Sequence, residues 1–353
     1  MTASERGLDL LERAQELSAL AEAMDSVRRD GRGRIVLLGA EAGAGKTALL
    51  RRFVDVHGGS ARVLWGACAP LFMPRPLGPL LDIAEATGGE LEQVAARGAR
   101  SHEAAAALLR ELGSHGPVLL VLEDLHWADE ATLDVLMLLG RRLELVPALV
   151  LLSYRDDELD RVHPLRIVLG ELAGTPSVER LALPRLSPDA VALLAAPHGV
   201  DPAELYRWTG GNAFFVTEVL AAGGERVPHT VRDAVLARSA RLGPGAALLL
   251  EAVAIAPPQL ELPLLEAMVG DASGRLEDCL AVGIVTALPG AVAFRHELAR
   301  LAVEESLAPD RRVALHRSAL AALADSPAGT ADPTRLAHHA EGAAERDAVL
   351  LYA

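Results

Sequence analysis

The chain has 353 residues, a formal net charge of −14, 51% hydrophobic residues and only 3% aromatic ones. That length accommodates two or three domains with their own cores, and the acidic balance argues against a broad surface for nucleic-acid phosphates. Its two cysteines, Cys68 and Cys279, lie far apart with no metal or disulfide spacing, which points to a reducing, cytoplasmic location.

Met1 to Arg6 is charged and leads into a helical period from Leu10 to Met24, not into a signal peptide. No apolar run approaches the roughly 20 residues needed to span a bilayer, so no membrane partner is expected. Ile35 to Leu38 reads as a buried parallel strand, followed by Ala40-Glu41-Ala42-Gly43-Ala44-Gly45-Lys46-Thr47 and a helix start at Thr47 to Phe53. Strand, glycine-rich loop and helix are the context of a phosphate-binding loop. Of the 34 basic residues Lys46 is the single lysine and the other 33 are arginine. A slim ammonium can reach between β- and γ-phosphates where a planar guanidinium cannot. Gly43 and Gly45 supply backbone freedom, the N–H groups from Ala42 to Ala48 would hold the anion, and the Thr47 hydroxyl would ligate Mg²⁺. The strict pattern's first glycine is Ala40 here.

Ala61 to Gly66 reads as a second strand, the proline-bearing segment Phe72 to Leu80 as a loop, and Leu80 to Ala86 as a helix. Ser101 to Leu112 reads as a helix with Ser101 as its N-cap. Pro117 to Leu122 is a third strand, Glu130 to Leu143 a helix and Ala148 to Ser153 a fourth strand. This alternation implies an α/β, doubly wound parallel sheet. The third strand ends in Glu123-Asp124. Beside a phosphate loop, one carboxylate would hold hydrated Mg²⁺ and the other would orient or deprotonate water; the sequence leaves open which does which. Arg155, at a strand end facing the same crevice, is a candidate γ-phosphate sensor, or else the partner of Asp156 or Asp157.

Beyond Pro184 strand signals cease. Ser187-Pro188 opens a helix, and helices follow at Ala203 to Trp208, Phe214 to Ala222 and Val231 to Leu242. Gly243-Pro244-Gly245 reads as a linker. Helices near 246–256, 263–269 and 275–282 precede a hairpin pattern, Ile284 to Leu288 and Ala291 to Phe294 about Pro289-Gly290. That order suggests a winged helix. Further helices are expected at His296 to Leu307, Arg311 to Ala324 and, after a break at 329–333, Arg335 to Ala343.

Glu123-Asp124-Leu125-His126-Trp127-Ala128-Asp129 resembles the acidic motif of STAND-class, AAA-like signal-transduction ATPases, and more narrowly that of the ATPase module of LuxR-type large ATP-binding regulators. Leu10 to Arg13 resembles the family's entry motif and Leu151 to Arg155 its sensor strand. Thr209 to Phe215 resembles its lid motif, Val227 to Asp233 the helix start after it, and Ala293 to Leu298 its winged-helix histidine segment. The resemblance covers nearly the whole chain. It implies a P-loop nucleotide-binding domain over 1–185, a helical lid over 186–243, a winged-helix domain over 244–325 and the start of a helical sensor or repeat arm over 326–353. It further implies an ATP/ADP switch with slow, Mg²⁺-dependent hydrolysis. Glu123, Asp124 and Arg155 would be catalytic. Arg13, Asn212, Ala213 and His296 would touch nucleotide alongside the loop, and Thr47, Glu123 and Asp124 would lie at the metal. Self-association in the ATP state, an unknown signal ligand or protein, and DNA contact only through a domain not present in this chain are the implied partnerships. Two departures stand out: Ala213 replaces a common proline near the adenine, and Glu123 replaces a common aspartate. Bland alternatives are a plain helix cation for Arg13, a helix-start residue for His296, and packing for Trp127 and Cys68. The competing function classes are a nucleotide-dependent scaffold with negligible hydrolysis and a P-loop kinase or transport ATPase, for which no acceptor pocket or signature loop is visible.

Overall fold

The structure is a computed structural model that describes residues 10–70, 75–97, 100–114, 116–224, 226–324 and 332–352. The charged N-terminus, the start of the proline-bearing loop and the break at 329–331 lie outside the described residues. The chain divides into two compact units, Met1–Leu186 and Ser187–Ala353.

The first unit is built on five parallel strands: β1 (Arg34–Ala40), β2 (Arg62–Ala67), β3 (Val118–Glu123), β4 (Ala148–Arg155) and β5 (Val178–Ala182), in the order β2-β3-β4-β1-β5. Successive side chains on a strand face opposite sides, and the apolar residues divide accordingly. Val36 and Leu38 of β1, Leu119 and Val121 of β3, and Leu149 and Leu151 of β4 join Leu20, Met24, Leu49, Leu50 and Phe53. These last five come from α1 (Ala14–Asp30) and α2 (Lys46–His57). Ile35 and Leu37, Leu120 and Leu122, and Val150 and Leu152 join a second core. It is supplied by α3 (Gly78–Thr87), α4 (Gly89–Ala96), α5 (Ser101–Gly113), α6 (Glu130–Arg142) and α7 (Leu165–Ala173). Continuous apolar runs are thus explained by burial on both faces.

Several boundaries differ from the sequence reading. The first helix starts at Ala14 rather than Leu10 and runs on to Asp30. The helices α4 and α7 and the strand β5 add to the elements read from sequence. Ser101 is not the N-cap of α5: Arg100 holds that position, and the Glu103 carboxylate closes the helix end by accepting from the Arg100 N–H at 3.2 Å. A glutamate at the third position can satisfy the exposed donor of the cap residue.

The second unit opens with four helices, α8 (Pro188–Ala195), α9 (Pro202–Thr209), α10 (Ala213–Ala221) and α11 (His229–Ser239). Ser187 caps α8, its Oγ accepting from the Ala190 N–H at 3.2 Å. Next come α12 (Pro244–Ala254), the two-residue β6 (Leu260–Glu261), α13 (Leu262–Val269), α14 (Ser273–Ala281) and the antiparallel hairpin β7 (Val285–Leu288) and β8 (Ala291–Phe294). Strand β6 adds to the hairpin in the order β6-β8-β7. The expected linker Gly243-Pro244-Gly245 is instead the cap and first turn of α12, where proline's missing N–H costs nothing. The unit ends in α15 (Glu297–Ser306), α16 (Pro309–Ala324), α17 (Pro333–Gly342) and α18 (Arg346–Tyr352). Buried Arg300 anchors α15 to the end of α12. Its guanidinium donates to the Ala254 carbonyl at 2.6 Å and pairs with Glu297 and Glu304. Among the described residues no helix is long and apolar enough to cross a membrane.

A methyl at Gly66 on β2 would fall 2.2 Å from the carbonyl oxygen of Pro79 in α3. Gly66→Ala must push strand and helix apart, and overpacking of this kind costs about 1–3 kcal/mol. A lowered midpoint in chemical denaturation is expected; an unchanged midpoint would show that α3 is not held against β2.

Candidate nucleotide site

Three strand ends build the site. The chain leaves β1 into the loop 41–45, leaves β3 into Asp124 and leaves β4 at Arg155. Strand β4 lies between β3 and β1, so its end sits between the loop and the carboxylates. Gly43 and Gly45 have φ of +79° and +98°, a left-handed backbone that residues with a Cβ rarely adopt. Such a turn aims successive N–H groups to one side and delivers them to the start of α2, whose first-turn N–H groups have no acceptor within the helix. Ala44 is buried, Ala42 and Gly43 are half-buried and Ala48 is exposed.

Lys46 is 7% exposed. Its Nζ donates to the carbonyl of Ala40 at 2.7 Å and to that of Glu41 at 2.9 Å. Burial lowers the ammonium to about 8, against the opposing pull of Asp157, Asp124 and Asp156. The cation is therefore still largely protonated at pH 7, in a surrounding that favours an added negative charge.

The Thr47 Oγ1 donates to Glu123 Oε1 at 2.5 Å, and Trp65 Nε1 donates to Glu123 Oε2 at 3.1 Å. Glu123 is thereby aimed at the threonine of the loop. Asp124 points elsewhere. Its backbone is left-handed, φ +56°, its N–H donates to Ser153 Oγ at 3.2 Å, and Oδ1 lies 3.9 Å from both Arg155 Nε and His126 Nδ1. Burial raises its carboxyl pKa, with Arg155 opposing. Arg155 pairs with Glu158 at 2.5 Å and lies 4.6 Å above the Trp127 ring. Cation–ring contact and the carboxylate together restrict the guanidinium to one direction. Arg13, 3% exposed, braces the loop: its guanidinium donates to the carbonyls of Ala44 at 3.4 Å, Pro184 at 2.8 Å and Glu12 at 2.9 Å.

Further residues take part besides the nucleotide and metal candidates read from sequence, and the partner of Arg155 is Glu158 rather than Asp156 or Asp157. Asp157 Oδ1 accepts from the Ala42 N–H at 3.1 Å and fixes the loop's entrance. Glu158 holds Arg155. Ser153 fixes the backbone of Asp124. His126 is pushed by burial down to about 3, hence neutral, and its Nδ1 accepts from the Arg155 N–H at 3.4 Å. The proton is then on Nε2, 3.6 Å from Glu158. The sequence signal for Asp157 and Glu158 is the acidic run directly after a strand-end arginine. Ser153 and His126 carried no separable signal.

The remaining candidates lie in the second unit. Asn212 is a helix cap, its Oδ1 accepting from the Phe215 N–H at 3.3 Å, and half-buried Ala213 begins α10. His296 caps α15 by position; its Nδ1 is 3.1 Å from the Thr209 carbonyl, which can only accept, and its ring meets Phe215 edge-on at 5.0 Å. The turn from Thr209 to Asn212 is thus joined to His296, two residues beyond the end of β8.

Comparison with known proteins agrees with this geometry at the level of the first unit. Residues 9–152 match the AAA ATPase domain family. An uncharacterized protein of Rhizobium meliloti (strain 1021) is 28% identical over 411 residues, covering 96% of this chain and 39% of its own length. The chain therefore spans about 39% of the curated relative it matches. Among solved structures, the Orc1 protein of Aeropyrum pernix in complex with DNA aligns at a TM-score of 0.50 and 17% identity, over 88% of this chain and 93% of that one, a likeness of fold. A STAND protein with a tetratricopeptide repeat sensor from Pyrococcus horikoshii aligns at 0.39 and 16% identity, over 98% of this chain and 50% of that one.

Lys46→Ala is expected to weaken Mg–ATP binding by about tenfold or more, since a charge-assisted contact contributes about 1.5–3 kcal/mol. Lys46→Arg should fail too, because a planar guanidinium cannot reach between β- and γ-phosphates as the slim ammonium can. Calorimetric titration checks both variants, and unchanged affinity would remove the loop's assignment.

Proposed function

We propose that the chain is the ATP/ADP-binding core of a STAND-type regulator, a switch that hydrolyses ATP slowly with Mg²⁺. The observation that carries this reading is the 2.5 Å contact between the loop threonine and Glu123, with Asp124 turned instead toward Arg155 and His126. The two carboxylates thereby receive different work. Thr47 and Glu123, a hydroxyl and a carboxylate side by side, are oxygen donors suited to Mg²⁺, which would neutralise charge on the phosphates when bound. Asp124, whose burial favours proton uptake, would orient and accept a proton from the attacking water. Arg155, held by Glu158 and Trp127, would sense the terminal phosphate. Arg13 and Asp157 would preserve the loop's shape. Arg13, Asn212, Ala213 and His296 stay nucleotide contacts in this reading, as the family resemblance implies.

The helix, strand, two helices and hairpin of Pro244 to Phe294 support a winged-helix reading, and α16 to α18 support the start of a helical arm. Nucleotide exchange would shift the population between a resting and a self-associating state. Transcriptional output would require a DNA-binding domain outside this chain, and the site of action would be cytoplasmic.

Asp124→Asn is expected to lower phosphate release by about 10²-fold or more, the usual contribution of a positioned base, while ATP still binds. Glu123→Gln should instead remove the Mg²⁺ dependence of ATP binding. Parental turnover in both variants would defeat the reading of two separate carboxylate roles.

His296→Ala deletes the donor to Thr209 and should loosen the turn at Thr209 to Asn212 by roughly 1 kcal/mol. Faster ADP release in a stopped-flow chase is the expected result. An unaltered rate would make His296 a helix-start residue and nothing more.

A further inference from the structure

A second cluster of chemically capable side chains lies in the other unit, on helices α16 and α17. The His316 Nδ1 and His339 Nδ1 are 3.1 Å apart, and both rings are buried, at 3% and 1% exposure. Exposed His338 joins them: the three residues offer ligand nitrogens all within 4.8 Å of one another, and the ring centroids are 5.0–5.3 Å apart.

We propose that His316, His338 and His339 form a binding site for a divalent transition-metal ion of the imidazole-preferring class, with Zn²⁺ as its representative. Four observations carry it. Nitrogens bound to one Zn²⁺ at about 2.0–2.1 Å lie about 2.9 Å apart at a right angle and about 3.3 Å apart at the tetrahedral angle. The separation of 3.1 Å falls between those limits. Two protonated nitrogens cannot face each other at that distance, so at least one ring presents a lone pair. His338 Nε2 lies 3.1 Å from the carbonyl of Ile255, which only accepts. In the neutral ring the lone pair is then left on Nδ1, the outer-shell arrangement that metal-bound histidines ordinarily use. Finally, the pocket is shaped for the ring: a Cβ at Gly342 would fall 2.4 Å from the Cγ and Nδ1 of His316.

Imidazole donors suit Zn²⁺, Cu²⁺, Ni²⁺ and Co²⁺ and not Mg²⁺, which prefers oxygen. The site is therefore chemically separate from the proposed nucleotide site. Three protein nitrogens leave a fourth position for water or an external donor. Because His316 is on α16, His338 and His339 are on α17 and Ile255 is the C-cap of α12, a bound ion would tie the last helices to the helix that opens the hairpin region.

The test uses the 353-residue chain, freed of metal by chelator and kept in excess Mg²⁺ to fill oxygen sites. Zn²⁺ is titrated against a chromophoric competitor, and thermal unfolding is followed with and without Zn²⁺. One equivalent should bind per chain. At a hundredfold excess over Kd the unfolding midpoint should rise by about 5–10 °C. Co²⁺ in place of Zn²⁺ should give visible absorption of a low-coordinate site. His338→Ala and His338→Gln leave the buried pair in place, and each should weaken Zn²⁺ binding by about 100-fold or more, which reduces the midpoint shift to about 1–2 °C or less. Absence of stoichiometric binding, or equal binding by parent and both variants, would overturn the proposal and reduce the contact of His316 and His339 to a hydrogen bond between two neutral rings.

Discussion

The site depends on the register of β4 between its two neighbours. Ala40 is opposite Arg155 across β1 and β4, and Leu122 is opposite Leu152 across β3 and β4. Those pairings bring the glycine loop, the paired carboxylates and the arginine to one end of the sheet. A slip of one residue would exchange the two faces of a strand. It would carry Ile35 and Leu37 from the core of α3, α5 and α6 to that of α1 and α2, and their neighbours the other way. Both cores are apolar, so hydrophobicity alone would not forbid the exchange. The close approaches would. Gly39 faces Tyr154, where an added methyl would fall only 2.7 Å from the phenol oxygen, and a methyl at Gly33 would fall 2.3 Å from the Leu143 carbonyl oxygen. Small residues at these points let elements meet in one register only.

Within that frame the loop is over-determined. Desolvating an ammonium is unfavourable, and here two carbonyls only 2.7 Å and 2.9 Å away offset part of the cost. Arg13 and Asp157 then hold the loop from opposite ends, at Ala44 and Ala42. The resulting cation is buried and directed before any anion reaches it, which is the physical content of preorganisation. The left-handed backbone at Asp124 belongs to the same economy of geometry. A non-glycine residue there is strained, and Ser153 offsets the strain by accepting the Asp124 N–H.

The parallel sheet and the loop were legible in the sequence because their signals are local: an apolar run, two glycines and the single lysine. Thr47, Glu123 and Arg155 could be named for the same reason. The different directions of the Glu123 and Asp124 side chains could not, because they depend on the backbone turning left-handed after β3, which an aspartate permits but does not announce. Strand β5 was missed because Val178-Glu179-Arg180-Leu181-Ala182 is an edge strand, and charges at an edge blunt pairing with another chain while diluting the apolar pattern. Helix α4 starts at a glycine and α12 at Gly243-Pro244-Gly245, both compositions that read as breaks. Ser101 is not a cap because Arg100 takes the extended backbone of the cap position and Ser101 is already in the first turn.

The second unit shows a different division of labour, in which polar side chains do at helix ends what the sheet register does in the first. Asn212 closes the start of α10, His296 reaches from the start of α15 to the Thr209 carbonyl, and Arg300 returns from α15 to the end of α12. Each is buried or half-buried and bonded to backbone; Asn212 fixes its own helix start, while His296 and Arg300 each join two segments through a direction-dependent bond rather than through apolar area. Apolar packing tolerates small slides, but a buried donor that loses its carbonyl does not. A unit held this way has few intermediate arrangements between joined and parted, the property that the switch proposed above would require of its moving parts.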